Sequence, residues 1–202
     1  FDIDVTTGDK TTALSRPFTI MLSEKSVKKF FDNENPIGKR LRANNQFDLE
    51  VTGVYKDFPS QSHWHPEYLV SFSTLENDKI YGRKELETNW GNNAFGTYLL
   101  LEEGADPKKM ETGFPDFLER HYANFAIANG APADLKASRA TTLFLQKLTD
   151  IHLLSHLDDE LEVNGNTNNV RMMAVIGLFI ILIACFNFIN LSTARATKRA
   201  KE

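Results

Sequence analysis

From Met172 to Phe186 every residue is apolar or glycine, and no charge interrupts the chain between Arg171 and Arg195. This run constrains the fold more than any other feature. A helix over Val170–Leu191, at about 1.5 Å rise per residue, matches the roughly 30 Å hydrocarbon core of a bilayer. Helices buried in soluble cores rarely hold more than about a dozen uncharged apolar residues in a row. The sequence therefore predicts one transmembrane helix over 170–191. Asn187 and Asn190, spaced i and i+3, put two carboxamides on one helix face near its end, where such groups meet a neighbouring helix or the interface rather than lipid tails. Gly177, with Ala184, adds a small-residue face. Gly177, Asn187 and Asn190 are thus the candidate helix-packing positions.

Charge divides the chain at the same place. Residues 1–169 carry a net −8, whereas 192–202 carry +3 through Arg195, Lys198, Arg199 and Lys201 against Glu202. By the positive-inside rule this basic cluster anchors the helix end in the cytoplasm. The expected organisation is an extracytoplasmic domain over 1–169, the membrane helix over 170–191 and a cytoplasmic basic segment over 192–202. An acidic body argues against nucleic acid as a partner, since phosphate binding needs a basic surface. The single cysteine, Cys185, lies inside the apolar run, so no intrachain disulfide forms. The run follows a folded domain, which sets it apart from a secretory signal peptide. The chain opens on Phe1 without Met and closes just beyond the run, which reads as a piece of a longer protein with an anchor before it and more helices after it.

The outer domain mixes strand and helix signals. Pro17–Leu22 reads as a buried strand, with Ser23 placed to cap a helix carrying Val27, Phe30 and Phe31 at helical spacing. Asn33–Gly38 is turn chemistry, with Gly38 suited to positive φ. Arg40–Tyr55 reads as a hairpin with a bulge at Gly53, and Asp57–Ser62 as a loop. Further strands are expected at Glu67–Phe72, Phe95–Leu101 and Ala140–Leu148. A helix is capped by Asp106 with Pro107 at its first position and broken near Gly113 and Pro115; Asn164–Asn169 is a polar linker into the membrane. The fold class is α+β.

Motifs for chemistry are sparse. Gly91–Thr97 (GNNAFGT) has the glycine spacing of a phosphate loop, but Thr97 stands where its lysine belongs, so a glycine-bounded turn explains it. His63, His65 and Glu67 offer three metal-ligand types in a short loop without a fourth group in sequence. His152 and His156 are i,i+4 on a helical stretch, but Leu153 stands where a zinc protease has glutamate. Aromatic and aliphatic residues along 107–125 are read as facing the domain's own core. No catalytic, cofactor-binding or metal-binding residue is assigned, and no cofactor is expected.

Specific stretches resemble the MacB/FtsX-type ABC transporter permeases, in particular the multi-paralogue group common in Bacteroidetes. Ile183–Arg195 (IACFNFINLSTAR), followed by Lys198-Arg199-Ala200-Lys201-Glu202, is similar to the family's second membrane helix and its cytoplasmic exit. Asn35-Pro36-Ile37-Gly38-Lys39, Val51-Thr52-Gly53-Val54 and Pro59-Ser60-Gln61-Ser62-His63 resemble its periplasmic core domain. Asp150-Ile151-His152-Leu153 and Ser155 resemble its return towards the membrane.

The resemblance implies a non-catalytic permease subunit in the inner (cytoplasmic) membrane, with residues 1–169 in the periplasm. It further implies a separate cytoplasmic ABC ATPase as partner, a permease dimer, contact with membrane lipid, and a periplasmic partner protein or substrate. In such permeases the helices pass ATP-driven motion to the outer domain. Two other readings compete: an extracytoplasmic sensor domain of a membrane receptor, and a membrane-tethered metallohydrolase using His63, His65 and Glu67.

Overall fold

The computed structural model describes residues 3–32 and 34–199, with backbone alone for 197–199. They fall into two units, Phe1–Ser60 with His65–Gln146, and Gln61–Trp64 with Lys147–Glu202.

In the first unit, strands β1 (Val5–Gly8), β2 (Thr19–Ser23), β3 (Arg40–Ala43), β4 (Phe47–Tyr55) and β5 (Tyr68–Val70) form one mixed sheet. The long β4 organises it. β2 runs parallel to β4 from Thr19 opposite Glu50 to Ser23 opposite Tyr55, while β3 pairs antiparallel with Phe47–Glu50 and β1 with Gly53–Tyr55. β5 pairs antiparallel with β2. A parallel pair cannot be joined by a tight turn; here α1 (Glu24–Phe31) and the β3 hairpin supply the crossover.

Local chemistry explains these elements. Ser23 leaves β2 in extended conformation, and its hydroxyl accepts from the Ser26 amide at 3.2 Å, capping α1 as its sequence position predicts. Val27 and Phe31 of α1 pack on Ile20, Leu22, Leu49 and Val51. Phe30, expected on the same face, is exposed and lies beneath the Lys29 ammonium instead. On the opposite face of the sheet Met21 and Tyr55 pack with Ala13, Val5, Leu14, Phe58 and Leu69. Both faces are covered, so β2 is buried at all five positions. Gly38 has φ of 79°, and Asn44 and Asn45, with φ of 48° and 56°, turn the β3–β4 hairpin. The expected bulge is present: Ile20 pairs with Val51 but Met21 with Gly53, leaving Thr52 as the extra residue. Its hydroxyl donates to the Ala13 carbonyl at 2.6 Å, tying the 9–18 loop to the sheet.

Beyond β5, short helices dominate: a 3₁₀ turn at Phe72–Glu76, then α2 (Arg83–Thr88), α3 (Pro107–Glu111), α4 (Phe114–Leu118), a π-helical turn at Glu119–Ala123, α5 (Asn124–Ala128) and α6 (Ala137–Ala140). Asp106 caps α3, its carboxylate accepting from the Lys108 amide at 2.9 Å, and the break at Gly113 is as expected. The second unit holds α7 (Leu148–Leu154) and α8 (Thr167–Arg199). The chain is an α+β domain followed by one long apolar helix.

Several expectations need correction. Phe95–Leu101 and residues 141–147 form no strand, and Ala140 closes α6. Both stretches carry β-prone Thr, Phe or Tyr side chains, but an extended segment becomes a strand only when a partner pairs its backbone. The Leu145 amide donates instead to the Glu111 carboxylate at 2.8 Å. The strand expected over 67–72 shrinks to β5 because Phe72 opens the 3₁₀ turn. His156 lies beyond α7, so it shares no helix with His152. Asn164–Asn169 is linker only to Asn166, since α8 begins at Thr167.

Candidate functional site: the apolar helix and its approach

α8 is one unbroken helix of 33 residues, extending to Arg199 within the segment expected to follow the membrane span. At about 1.5 Å per residue it is about 50 Å long, more than a hydrocarbon core requires. Every large apolar side chain from Val170 to Leu191 is exposed, including Phe179, Phe186 and Phe188. Each leaves a large part of the roughly 1.5–3 kcal/mol of full burial unrealised in water. Within α8, Thr167–Ala196 is long and apolar enough to cross a membrane, and none of its most apolar stretch is buried against the protein.

The candidate positions on α8 do not form one patch. Asn187 and Asn190 are exposed and about 60° apart around the axis, as their spacing predicts. Gly177 lies about 80° from Asn187 and about 140° from Asn190, in line with Ala184 instead. Thr193 turns its hydroxyl back to the Ile189 carbonyl at 2.8 Å, which hides one polar group from the helix surface. Arg195 is exposed at the far end. Lys198 and Arg199 continue the helix as backbone, and Lys201 lies outside the described residues.

The approach to α8 is built from contacts that the sequence did not disclose. The Gly165 amide donates to the His152 carbonyl at 2.8 Å and the Thr167 hydroxyl to the Leu153 carbonyl at 3.0 Å. Ser155, buried just past α7, donates its hydroxyl to the Glu160 carboxylate. The last carbonyls of any helix lack partners within it. A glycine and a threonine in a polar stretch after a short helix were the available signal, but spacing alone did not say where the capping donors would come from.

The other candidates are engaged elsewhere. His65 Nε2 lies 2.9 Å from the Pro59 carbonyl, and the Glu67 carboxylate lies 3.9 Å from Lys25 Nζ and 3.6 Å from Lys29 Nζ. Among the described residues no three His, Cys, Asp or Glu side chains are grouped to hold a metal ion. In the Gly91–Thr97 loop, Asn92 Oδ1 accepts from the Ala94 amide at 2.8 Å and Asn92 Nδ2 donates to the Tyr81 hydroxyl at 2.6 Å. That is the geometry of a side-chain-braced turn. Along 107–125, Leu118, Tyr122 and Ala123 pack with Ala137, and Phe117 joins Trp90 and His121 in a ring cluster.

The family model of the MacB-like periplasmic core domain matches residues 1–117, more than half of the chain. The chain belongs to that family. The match covers the whole sheet and ends within α4, so α8 lies outside it. MacB-like core domains are parts of ABC transporter permeases, and with one helix suited to a membrane this describes a membrane protein with an extracytoplasmic domain. Among solved structures, a domain of a protein described as a permease from Porphyromonas gingivalis is 22% identical. The likeness covers 60% of this chain and 54% of that one, with a TM-score of 0.45. The extracellular domain of the noncanonic ABC-type transporter YknZ from Gram-positive bacteria is 23% identical over 43% of this chain and 50% of that one, with a TM-score of 0.31. The periplasmic region of MacB from Actinobacillus actinomycetemcomitans is 16% identical over 64% and 60%, with a TM-score of 0.36. The chain thus spans between about half and three-fifths of these solved chains. No curated protein matches the sequence.

Proposed function

We propose that this chain is the periplasmic domain and one membrane helix of a non-catalytic ABC permease subunit of the inner membrane, and that it passes motion rather than substrate. ATP binding and hydrolysis by a separate cytoplasmic ATPase shift the membrane helices, and α8 carries the shift outward for export or extraction of a substrate. The observation that carries this reading is α8 itself, a single helix long enough to traverse a bilayer and continue beyond it, with a lipid-compatible surface throughout its central part. A hydrogen-bonded rod transmits displacement along its axis without needing catalytic groups.

In this reading residues 1–169 are periplasmic, 170–191 span the lipid and 192–202 begin the cytoplasmic side. Gly177 gives a neighbouring membrane helix room for close approach, and the Asn187 and Asn190 carboxamides find partners on helices of the same permease or of a second permease copy. Arg195, Lys198, Arg199 and Lys201 hold the cytoplasmic end at the headgroups. The domain engages a periplasmic partner or substrate.

The test is purification of the full-length protein in mild detergent from its native cell. The proposal expects an ABC ATPase to co-purify and its ATP turnover to respond to the permease. Isolation with a kinase or another signalling protein, and with no ATPase, would favour a receptor instead.

A further inference from the structure

We propose that the hydrogen-bonded contact between the end of α7 and the start of α8 is the joint through which movement of the membrane helix reaches the extracytoplasmic domain, with Gly165 and Thr167 as its positioning residues; this rests on the motion-passing reading above. Two consecutive carbonyls at the end of α7, those of His152 and Leu153, accept from the Gly165 amide at 2.8 Å and the Thr167 hydroxyl at 3.0 Å. The donors lie two residues before α8 and at its first residue, so these two carbonyls at the end of α7 are satisfied by the entry into α8.

The contact is close. A Cβ on Gly165 would stand 3.0 Å from Leu153 Cδ2 and 3.3 Å from the His152 carbonyl oxygen. An alanine there requires the Leu153 side chain and the His152 carbonyl to give by a few tenths of an ångström, and a bulkier residue requires more. The Ser155 to Glu160 hydrogen bond braces the intervening loop. Rotation or sliding of α8 must therefore either break these bonds or take α7 with it.

α7 continues the path. It follows directly in sequence from residues 141–147, where the Leu145 amide donates to the carboxylate of Glu111 at the end of α3. A pull at Thr167 thus has a route of covalent and hydrogen bonds through α7 to Leu145 and then to α3. The Asn164 side-chain nitrogen is buried with no hydrogen-bond partner, so the observed geometry leaves one donor unused.

The experiment uses the full-length permease, with Cys185 and any other native cysteine replaced by alanine, reconstituted with its ATPase subunit in lipid vesicles. Single nitroxide labels are placed at Thr149→Cys on α7 and at Asn169→Cys on α8, and label mobility is read with and without ATP and vanadate. In the parent both labels are expected to respond. Thr167→Val and Gly165→Ala should keep the ATPase rate and the response at 169 but lose the response at 149, while Thr167→Ser, which keeps the donor, should preserve both. A response at 149 that persists in both Thr167→Val and Gly165→Ala overturns the joint and leaves the motion-passing reading standing; so does its loss in Thr167→Ser. A parent whose label at 169 ignores ATP overturns the motion-passing reading, and the joint falls with it.

Discussion

The Tyr55 hydroxyl donates to the Pro66 carbonyl at 2.8 Å, fastening the end of β4 to the chain just ahead of β5. Tyr55 is fully buried at that point. Burial holds its phenol well above the usual tyrosine range, and the carboxylates of Asp57 and Glu67 add to the effect. Tyr55→Phe should lower stability by about 0.5–1.5 kcal/mol, the ordinary net worth of a hydrogen bond. The folded-state pKa is raised, so the unfolded chain releases its proton first as pH rises. Tyr55 therefore adds an alkaline loss of stability, beginning near the unperturbed value of 10.0. Thermal melts of the detergent-solubilised chain from pH 8 to 11 should show a shallower alkaline decline in Tyr55→Phe than in the parent.

Glu119 supplies the opposite pH signature. Its carboxylate accepts from the Ser138 hydroxyl at 2.6 Å, from the Ser138 amide at 3.1 Å and from the Ala137 amide at 3.3 Å, capping α6 from the π-helical turn. The Ser138 hydroxyl and amide hydrogen bonds are the main reason its pKa is lowered. A depressed carboxylate contributes stability above its unfolded pKa, and that contribution is lost as pH falls through the folded value. Glu119→Gln should melt at a lower temperature at pH 7, and the gap from the parent should narrow as the pH is lowered through 4.

Gly8 is the backbone position least tolerant of change. Its φ is +96°, and a Cβ would lie 2.4 Å from the Thr52 carbonyl oxygen and 2.9 Å from Gly53 Cα. Neither neighbour is a flexible side chain, so strain and overlap act together. Gly8→Ala should cost at least about 2 kcal/mol, read as a fall in the denaturant midpoint. An effect within experimental error would contradict the pairing of Gly8 with Gly53.

A charge placed mid-span tests the lipid reading of α8. Ile180→Arg should raise the apparent free energy of membrane insertion by about 3–4 kcal/mol, measured in a glycosylation-site insertion assay. The same change on an exposed helix face in water should be nearly neutral. Asn187→Leu should leave insertion intact but weaken assembly by about 1 kcal/mol.

Legibility of the chain from its sequence followed the range of the interactions. Ser23 as a helix cap, the β3–β4 hairpin and the apolar run were readable because each depends on neighbours within a few residues, whereas the bulge beside Gly53 was marked by its glycine although it forms against the distant β2. Phe95–Leu101 and residues 141–147 misled for the converse reason. Their Thr, Phe and Tyr content reports β-preference, whereas a strand also requires a distant backbone to pair with, and Glu111 takes the Leu145 amide. The joint at Gly165 and Thr167 was hidden in the same way, since its acceptors lie across a loop in α7. Gly177, Asn187 and Asn190 all lie within α8, and the angular offset of Gly177 from Asn190 separates faces that a linear list of residues merges.

The sidedness of the two ends of α8 is the most direct measurement. In the full-length protein with Cys185 and any other native cysteine replaced by alanine, single cysteines replace Lys84, exposed in the outer domain, and Ala196, near the basic end of α8. A small membrane-impermeant maleimide is then applied to intact cells whose outer layer admits it. Labelling at 84 in intact cells, with labelling at 196 only after the inner membrane is opened, is the predicted result. Labelling at 196 in intact cells, or protection at 84 until the membrane is opened, would contradict the account.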